Sequence, residues 1–264
     1  MKVSAVTKQG NNVYIIDKAF YMPQLQRSRR IWLYLPLEYQ STKQYYPVLY
    51  MQDGQNLFED WSAFSEEWGV DETLNSLQGK CIVVGIDNGG EKRLNEYTMH
   101  DHEKYGKGEG AAYLSFLVET LKPYIDETYR TLPGREHTYI AGSSLGALIS
   151  FYACLYYPEV FSAAGIFSPA FWIAPQLGDE IRNKAAQNSQ YPQRFYFYYG
   201  DKEGRQMILK TKAVIQQLQS FDHYTLKRVV NKEGTHSEAE WRATFPSFYK
   251  WIMQQEQQQK DSRS

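Results

Sequence analysis

The sequence predicts an α/β protein with a mostly parallel central sheet, an antiparallel N-terminal hairpin, and helices on both faces. Three observations predict it. Short apolar runs at 47–51, 81–87, 137–143 and 163–167 lack polar alternation, the mark of strands covered on both faces. Segments with helical spacing alternate with them, at 68–77, 111–129, 145–157 and 205–220. The 264 residues suffice for one such sheet, and no proline-, glycine- or serine-rich linker divides them. A single domain over 1–254 and a polar, frayed tail over 255–264 are expected.

Taken in order, 12–21 and 28–36 are rich in β-branched and aromatic residues and read as the hairpin. Pro47–Met51 is the first buried strand and runs into Gln52-Asp53-Gly54-Gln55-Asn56, a polar loop bearing a glycine. Helix 68–77 and strand 81–87 follow. The stretch 88–110 is long, polar and without clear periodicity, as functional loops often are; it carries Arg93, Glu96, Tyr97, His100 and His102. The helix at 111–129 leads to strand 137–143, and Tyr157-Pro158 stops the helix after it. Strand 163–167 ends in Ser168-Pro169-Ala170-Phe171-Trp172, at the strand end where open parallel sheets place their ligand crevice. Phe171 and Trp172 are therefore candidate pocket wall, with plain packing as the competing reading. Helix 179–187, strand 194–199, helix 205–220, strand 225–230 and a helix at 237–254 complete the chain.

Composition narrows the function. Hydrophobic residues at 42%, charged residues at 22% and a net charge of −1 describe an ordinary globular protein without a nucleic-acid surface. The N-terminus lacks an apolar leader and no run is long enough to span a membrane, so a cytoplasmic location is expected; an exported precursor already trimmed would read the same. Cys81 and Cys154 read as small buried apolar residues, too few for a disulfide scaffold or a zinc site. His100 and His102 have no accompanying ligand cluster and read as surface histidines, so no metal is expected. The 22 tyrosines suit core and rim packing, and around a cleft would suit aromatic or sugar-bearing ligands.

The chemistry centres on Gly142-Ser143-Ser144-Leu145-Gly146, a G-x-S-x-G between an apolar strand and an apolar helix. That context is a nucleophile elbow, in which the chain turns so sharply that glycine is needed two residues either side of the serine. Ser144 would then head a helix, where free N–H groups and the dipole favour an oxyanion. A serine hydroxyl needs a base, histidine is the side chain best matched to the task, and a carboxylate must hold the imidazole. Of five histidines, only His236 lies in a loop after a strand and after a candidate acid. Glu203 and Asp201 both follow strand 194–199 and either can serve. In such a sheet the loop after Pro47–Met51 supplies a second oxyanion donor, for which the Gln55 N–H is the candidate; an ordinary turn fits that loop equally well.

These residues resemble a known family. VLYMQDGQNLF, VGIDNGG with the nearby NEY, LKPYIDETYRTLPGREHTYIAGSSLGALIS, YYPEVFSAAGIFSPAFW, YYGDKEG and GTHSEAEW, together spanning about Pro47 to Trp241, are similar to the predicted-esterase group of α/β hydrolases. That group contains esterase D, the enterochelin esterases, and feruloyl or acetyl-xylan esterases. The resemblance implies an α/β-hydrolase fold and a serine carboxylesterase acting on a small-molecule ester with neither metal nor organic cofactor. It maps the nucleophile to Ser144, the base to His236, the acid to Glu203, and the oxyanion hole to the Leu145 N–H and the Gln55 loop. Ala147 departs from it, since relatives often carry a second glycine there. Arg93, Tyr97, Phe171 and Trp172 are the candidate pocket residues. A basic patch among them would favour anionic substrates such as ferric siderophores, an apolar slot simple acyl or feruloyl esters.

Overall fold

Strand-forming runs and helical runs assemble as the alternation requires. The structure, a computed structural model, describes residues 12–261. Its strands are β1 (Val13–Met22), β2 (Arg27–Tyr34), β3 (Val48–Gln52), β4 (Ile82–Ile86), β5 (Thr138–Ser143), β6 (Ala163–Phe167), β7 (Gln193–Gly200) and β8 (Tyr224–Asn231). They form one eight-stranded sheet in the order β1-β2-β4-β3-β5-β6-β7-β8. The β1–β2 hairpin and the β2–β4 pairing are antiparallel, and every pairing from β4 through β8 is parallel.

Strand periodicity divides the core in two. Along β7, Phe195, Phe197 and Tyr199 join one apolar cluster, while Tyr196 and Tyr198 point into the other. The first cluster packs beneath α3 (Gly110–Phe116), α5 (Leu145–Tyr156), α6 (Leu177–Gln187) and α7 (Arg205–Leu218). The second packs beneath α1 (Val70–Ser76) and the long terminal α8 (Glu238–Asp261), through Leu74, Phe245, Phe248 and Ile252. Every residue of β3, β4, β5 and β6 is buried, which is why their sequences are continuous apolar runs. The edge strand β8 is half-buried or exposed beyond Tyr224 and carries Lys227 and Arg228 instead.

Local differences from the sequence expectation have physical causes. The segment expected as one helix at 111–129 is continuous but changes pitch, with a π segment at Leu117–Leu121 before α4 (Lys122–Thr128). Pro123 at the start of α4 cannot donate to the carbonyl of Glu119, so the turn widens there. The 88–110 stretch is not wholly irregular, since Arg93–Glu96 forms a single turn, α2. The last helix passes Gln254 and continues to Asp261; residues 262–264 of the expected tail and residues 1–11 lie outside the described residues. No helix among the described residues is long and apolar enough to cross a membrane.

Topology positions the site. The chain passes from β3 to β4 on one side, then returns to place β5 on the other side of β3. The order of winding reverses at β3, and the crevice at the strands' carboxyl ends opens there. The loops after Gln52, Ile86, Ser143, Phe167, Gly200 and Asn231 therefore all emerge on one edge.

Candidate active site

Ser144 follows β5 and heads α5 with φ 57° and ψ −119°, a backbone conformation rarely tolerated by a residue with a Cβ. The turn is fastened by its own backbone, with the Ser144 N–H donating to the Phe167 carbonyl at 2.9 Å and the Ala170 N–H donating to the Ser144 carbonyl at 3.0 Å. The two flanking glycines are required sterically. A Cβ on Gly142 would sit 2.6 Å from the backbone of Gly146, and one on Gly146 would sit 2.8 Å from Asp53 Oδ2. The Ser144 hydroxyl makes no hydrogen bond among the described residues, and the Leu145 and Gln55 backbone N–H groups likewise meet no protein acceptor.

His236 lies in the loop after β8, with its ring about one third exposed and its Nδ1 3.3 Å from Glu203 Oε2. Gly200 and Gly234 bring the two loops together, because a Cβ on Gly200 would collide with the Gly234 carbonyl. The Glu203 side chain is wholly buried, and its other oxygen, Oε1, accepts from the Gly200 N–H at 2.7 Å and the Ser168 hydroxyl at 2.7 Å. Ser168 in turn accepts from Trp241 Nε1 at 2.9 Å, and the Trp241 ring meets the His236 ring edge to face at 5.1 Å. Asp201, the alternative acid, is exposed and bonds through its backbone N–H to the Asn231 carbonyl. Ser168 and Trp241 escaped sequence reasoning. The signal was there in part: a serine directly after a buried strand and a tryptophan five residues after the histidine.

Ser144, His236 and Gln55 line one open cavity of about 780 Å³. Its wall includes Arg30, Arg93, Asp53, Asp87, Glu238, Phe64 and Trp241. Each arginine is paired, Arg93 Nε to Asp53 Oδ1 at 2.6 Å and Arg30 Nε to Asp87 Oδ2 at 2.7 Å. Burial pulls the Arg93 guanidinium down, but Asp53 outweighs that and holds it above its ordinary value. Burial raises the Asp87 carboxyl, opposed by Arg30. Phe64, in the loop between Leu57 and Trp68, is 89% exposed although its backbone N–H is anchored to Asn56 Oδ1 at 2.9 Å.

Of the four side chains expected to line the pocket, Arg93 does so. Tyr97 does not: it is fully buried, tilted against Tyr113 at 5.2 Å, and its burial raises its phenol well above the ordinary value. Phe171 turns into the core, edge-on to Phe151 at 5.2 Å, directly after the Ala170 N–H that is tied to the elbow. Trp172 is 40% exposed and lies outside the cavity wall. His100 pairs with Glu180 at 2.8 Å and His102 Nδ1 accepts from the Lys104 N–H at 3.1 Å, both away from this cavity. Among the described residues no cluster of three or more His, Cys, Asp or Glu could hold a metal.

Comparison with known proteins agrees with the fold. The chain is 28% identical over 240 residues to the uncharacterized protein YbbA of Bacillus subtilis strain 168, covering 85% of this chain and 92% of that one. Among solved structures, the BES protein from Bacillus cereus superposes with a TM-score of 0.76 at 18% identity, covering 96% and 97% of the two chains. The enterobactin esterase FES from Shigella flexneri, crystallised with 2,3-di-hydroxy-N-benzoyl-serine, gives 0.72 at 19% identity, covering 96% of this chain and 61% of that one. Both likenesses carry the α/β-hydrolase fold. The profile of the family described as "Putative esterase" matches residues 23–252, nearly the whole described chain, and the protein belongs to that family.

Proposed function

We propose that the protein is a serine carboxylesterase, with Ser144 as nucleophile, His236 as general base and Glu203 as the acid of the triad. The observation that carries this reading is a strained serine at a helix head sharing one cavity with a histidine backed by a buried carboxylate. Because Nδ1 faces Glu203, Nε2 is left to take the Ser144 proton as Oγ attacks the acyl carbon. The carbonyl oxygen becomes an oxyanion, for which the unengaged Leu145 and Gln55 N–H groups are the natural donors. His236 then passes its proton to the leaving alcohol, and an acyl-enzyme remains on Ser144. A water, deprotonated at Nε2, attacks that ester in turn; the carboxylic acid leaves and Oγ regains its proton. Ser144 and His236 make no direct hydrogen bond here, and catalytic contacts of this kind commonly tighten around substrate.

The pocket favours a neutral ester over a multiply charged one. Both arginines in the wall are already paired with carboxylates, so the cavity is not a basic patch. Nor is it a narrow apolar slot, since serines, asparagines and acids share its wall with Phe64 and Trp241. A specialised siderophore-lactone, feruloyl or acetyl-xylan esterase is the second reading, and it draws on the cavity's size and its exposed aromatic ring. A silent scaffold used only for binding is the alternative of another class.

The test is hydrolysis of p-nitrophenyl esters from acetate to decanoate, plus a ferulate ester, by wild type and Ser144→Ala. A loss of about 10³-fold or more in the variant supports the nucleophile, and the chain-length profile sizes the acyl site. Equal rates in both proteins overturn the triad. If neither turns over, failure of a fluorophosphonate to label the wild type points to the silent scaffold.

A further inference from the structure

Arg93 lines the cavity, yet both of its side-chain hydrogen bonds are spent on Asp53, another residue of the same wall. Nε and Nη2 donate to Asp53 at 2.6 and 2.9 Å, and Asn88 Nδ2 donates to the same carboxylate at 2.8 Å. Asp53 has φ 55°, a left-handed conformation uncommon for a residue with a Cβ, and it begins the turn Gly54–Asn56 that carries the Gln55 N–H. Its backbone is held as well, the Asp53 N–H donating to the Tyr97 hydroxyl at 3.4 Å. Arg93 and Tyr97 stand at the two ends of α2, with the guanidinium 5.4 Å from the Tyr97 ring. One helical turn therefore grips Asp53 by both its side chain and its main chain.

The grip has a firm base. The buried Glu96 of α2 receives both Nη2 contacts of Arg29 at 2.7 and 2.8 Å and one from Arg27 at 3.0 Å, which bolts α2 to β2. The Asn88 N–H also donates to Gln55 Oε1 at 3.1 Å, fixing the side chain of the residue whose amide is in question. On its far side the Asp53 carboxylate lies against Gly146 of the elbow helix, where a Cβ would approach it to 2.8 Å. Asp53 is thus wedged between the helix that bears Ser144 and the turn that bears Gln55.

We infer that Arg93 is a positioning residue: acting through Asp53, with Asn88 as its second arm, it sets the Gln55 N–H relative to Ser144, and it is not a substrate contact. The inference rests on the reading of Ser144 as nucleophile and Gln55 as oxyanion donor. It predicts a kcat effect independent of substrate charge. A substrate-binding arginine would instead change KM, and only for anionic substrates.

The experiment measures kcat and KM of wild type, Arg93→Met, Arg93→Lys, Asn88→Ala and Ser144→Ala on neutral p-nitrophenyl acetate and anionic mono-p-nitrophenyl succinate, and the rate of fluorophosphonate labelling. Arg93→Met is expected to lower kcat about 10–100-fold on both esters, below the 10²–10³-fold of deleting a donor outright. KM should stay within about threefold, and labelling should slow by the same factor as kcat. Arg93→Lys should recover part of the loss, and Asn88→Ala should move the same way by less. Unchanged kcat and labelling in Arg93→Met, or an effect confined to KM of the succinate ester, overturns the inference. If Arg93→Met fails to fold, Asn88→Ala decides it: lowered kcat with unchanged KM supports the clamp, and unchanged kcat refutes it. If wild type turns over neither ester, the labelling rates alone decide. Ser144→Ala as active or as readily labelled as wild type, or no labelling of wild type, sinks the underlying esterase reading instead.

Discussion

Replacing Glu203 by glutamine tests its proposed role as the acid of a triad, with little risk to the fold. Glutamine keeps the volume of this wholly buried side chain, and its carbonyl oxygen can still accept from Ser168 and Gly200, each at 2.7 Å in the wild type. What changes is the atom facing His236. An amide NH₂ in place of Oε2 sets donor against donor, so Nδ1 must give up its proton. The proton then sits on Nε2, which can no longer accept from Ser144. The imidazolium formed during attack also loses its counter-charge. Such changes cost up to about 10⁴-fold in kcat in a tightly coupled triad. Here the 3.3 Å separation is long for a charge-assisted bond and His236 is one third exposed, so water takes over part of the role. The expected loss is about 10²–10³-fold, or roughly 3–4 kcal/mol of transition-state stabilisation, with KM little changed. Asp201→Asn, at an exposed residue outside this network, should stay within about twofold of wild type. Steady-state kinetics on one neutral p-nitrophenyl ester suffice. Equal losses in the two variants, or Glu203→Gln within about threefold of wild type, would refute the assignment.

Ser168→Ala removes one of two donors to Glu203 Oε1 and orphans Trp241 Nε1; kcat should fall about 3–30-fold at constant KM, less than for Glu203→Gln, because the Gly200 N–H remains. Gly146→Ala should lower stability by about 1–3 kcal/mol and abolish most activity, read as Tm and kcat, since its methyl would press on Asp53 and Gln52. Phe64→Ala should leave Tm unchanged at this 89% exposed position and raise KM several-fold for aryl-acyl esters but not acetate; equal KM shifts for both would remove Phe64 from the acyl site. Asp71, pushed up to about 8 by burial and by Glu72, keeps in the folded state a proton that the unfolded chain releases near 3.8. Its stabilisation is therefore complete below the unfolded value and is lost as pH rises through about 8. Tm of Asp71→Asn should decline less than that of wild type between about pH 5 and 9, and parallel curves would rule out this titration.

What the sequence made legible was whatever depends on neighbours along the chain. Continuous apolar runs mark strands covered on both faces, and G-x-S-x-G between such a strand and an apolar helix marks an elbow, because both patterns are local consequences of sterics and burial. That Ser144, His236 and one of Asp201 or Glu203 would meet was readable because parallel strands must deliver their following loops to one edge; which of the two acids faces the imidazole was not, since both follow the same strand. The pocket was not. Phe171 and Trp172 follow a strand end, as the loop residues of the site do, yet Phe171 packs into the core against Phe151 and Phe197 and Trp172 lies outside the cavity wall. The side-chain partners of the Asp53 carboxylate are 35 and 40 residues away, and that of Trp241 Nε1 is 73 residues away; no periodicity encodes which polar atoms will meet.

Those long-range bonds also tie the machinery together. Phe167 accepts the Ser144 N–H, the Ser168 N–H donates to the Tyr198 carbonyl of β7 at 2.7 Å, and the Ser168 hydroxyl meets Glu203. Ser168 itself has φ 49°, a second strained non-glycine residue one strand away from Ser144. The end of β6 thus ties the Ser144 turn to the Glu203 loop, and strain at both turns is held by the same short segment. A change that relaxes Ser168 should then disturb two contacts at once, His236 to Glu203 and the Ser144 N–H to the Phe167 carbonyl, while a change at Asp201 disturbs neither. The split between backbone effects at Ser168 and side-chain effects is measurable: Ser168→Gly, which removes the hydroxyl but eases the positive φ, should cost more labelling of Ser144 than Ser168→Ala if strain at this joint helps hold the elbow. If it costs less, the strain is incidental and only the hydroxyl matters.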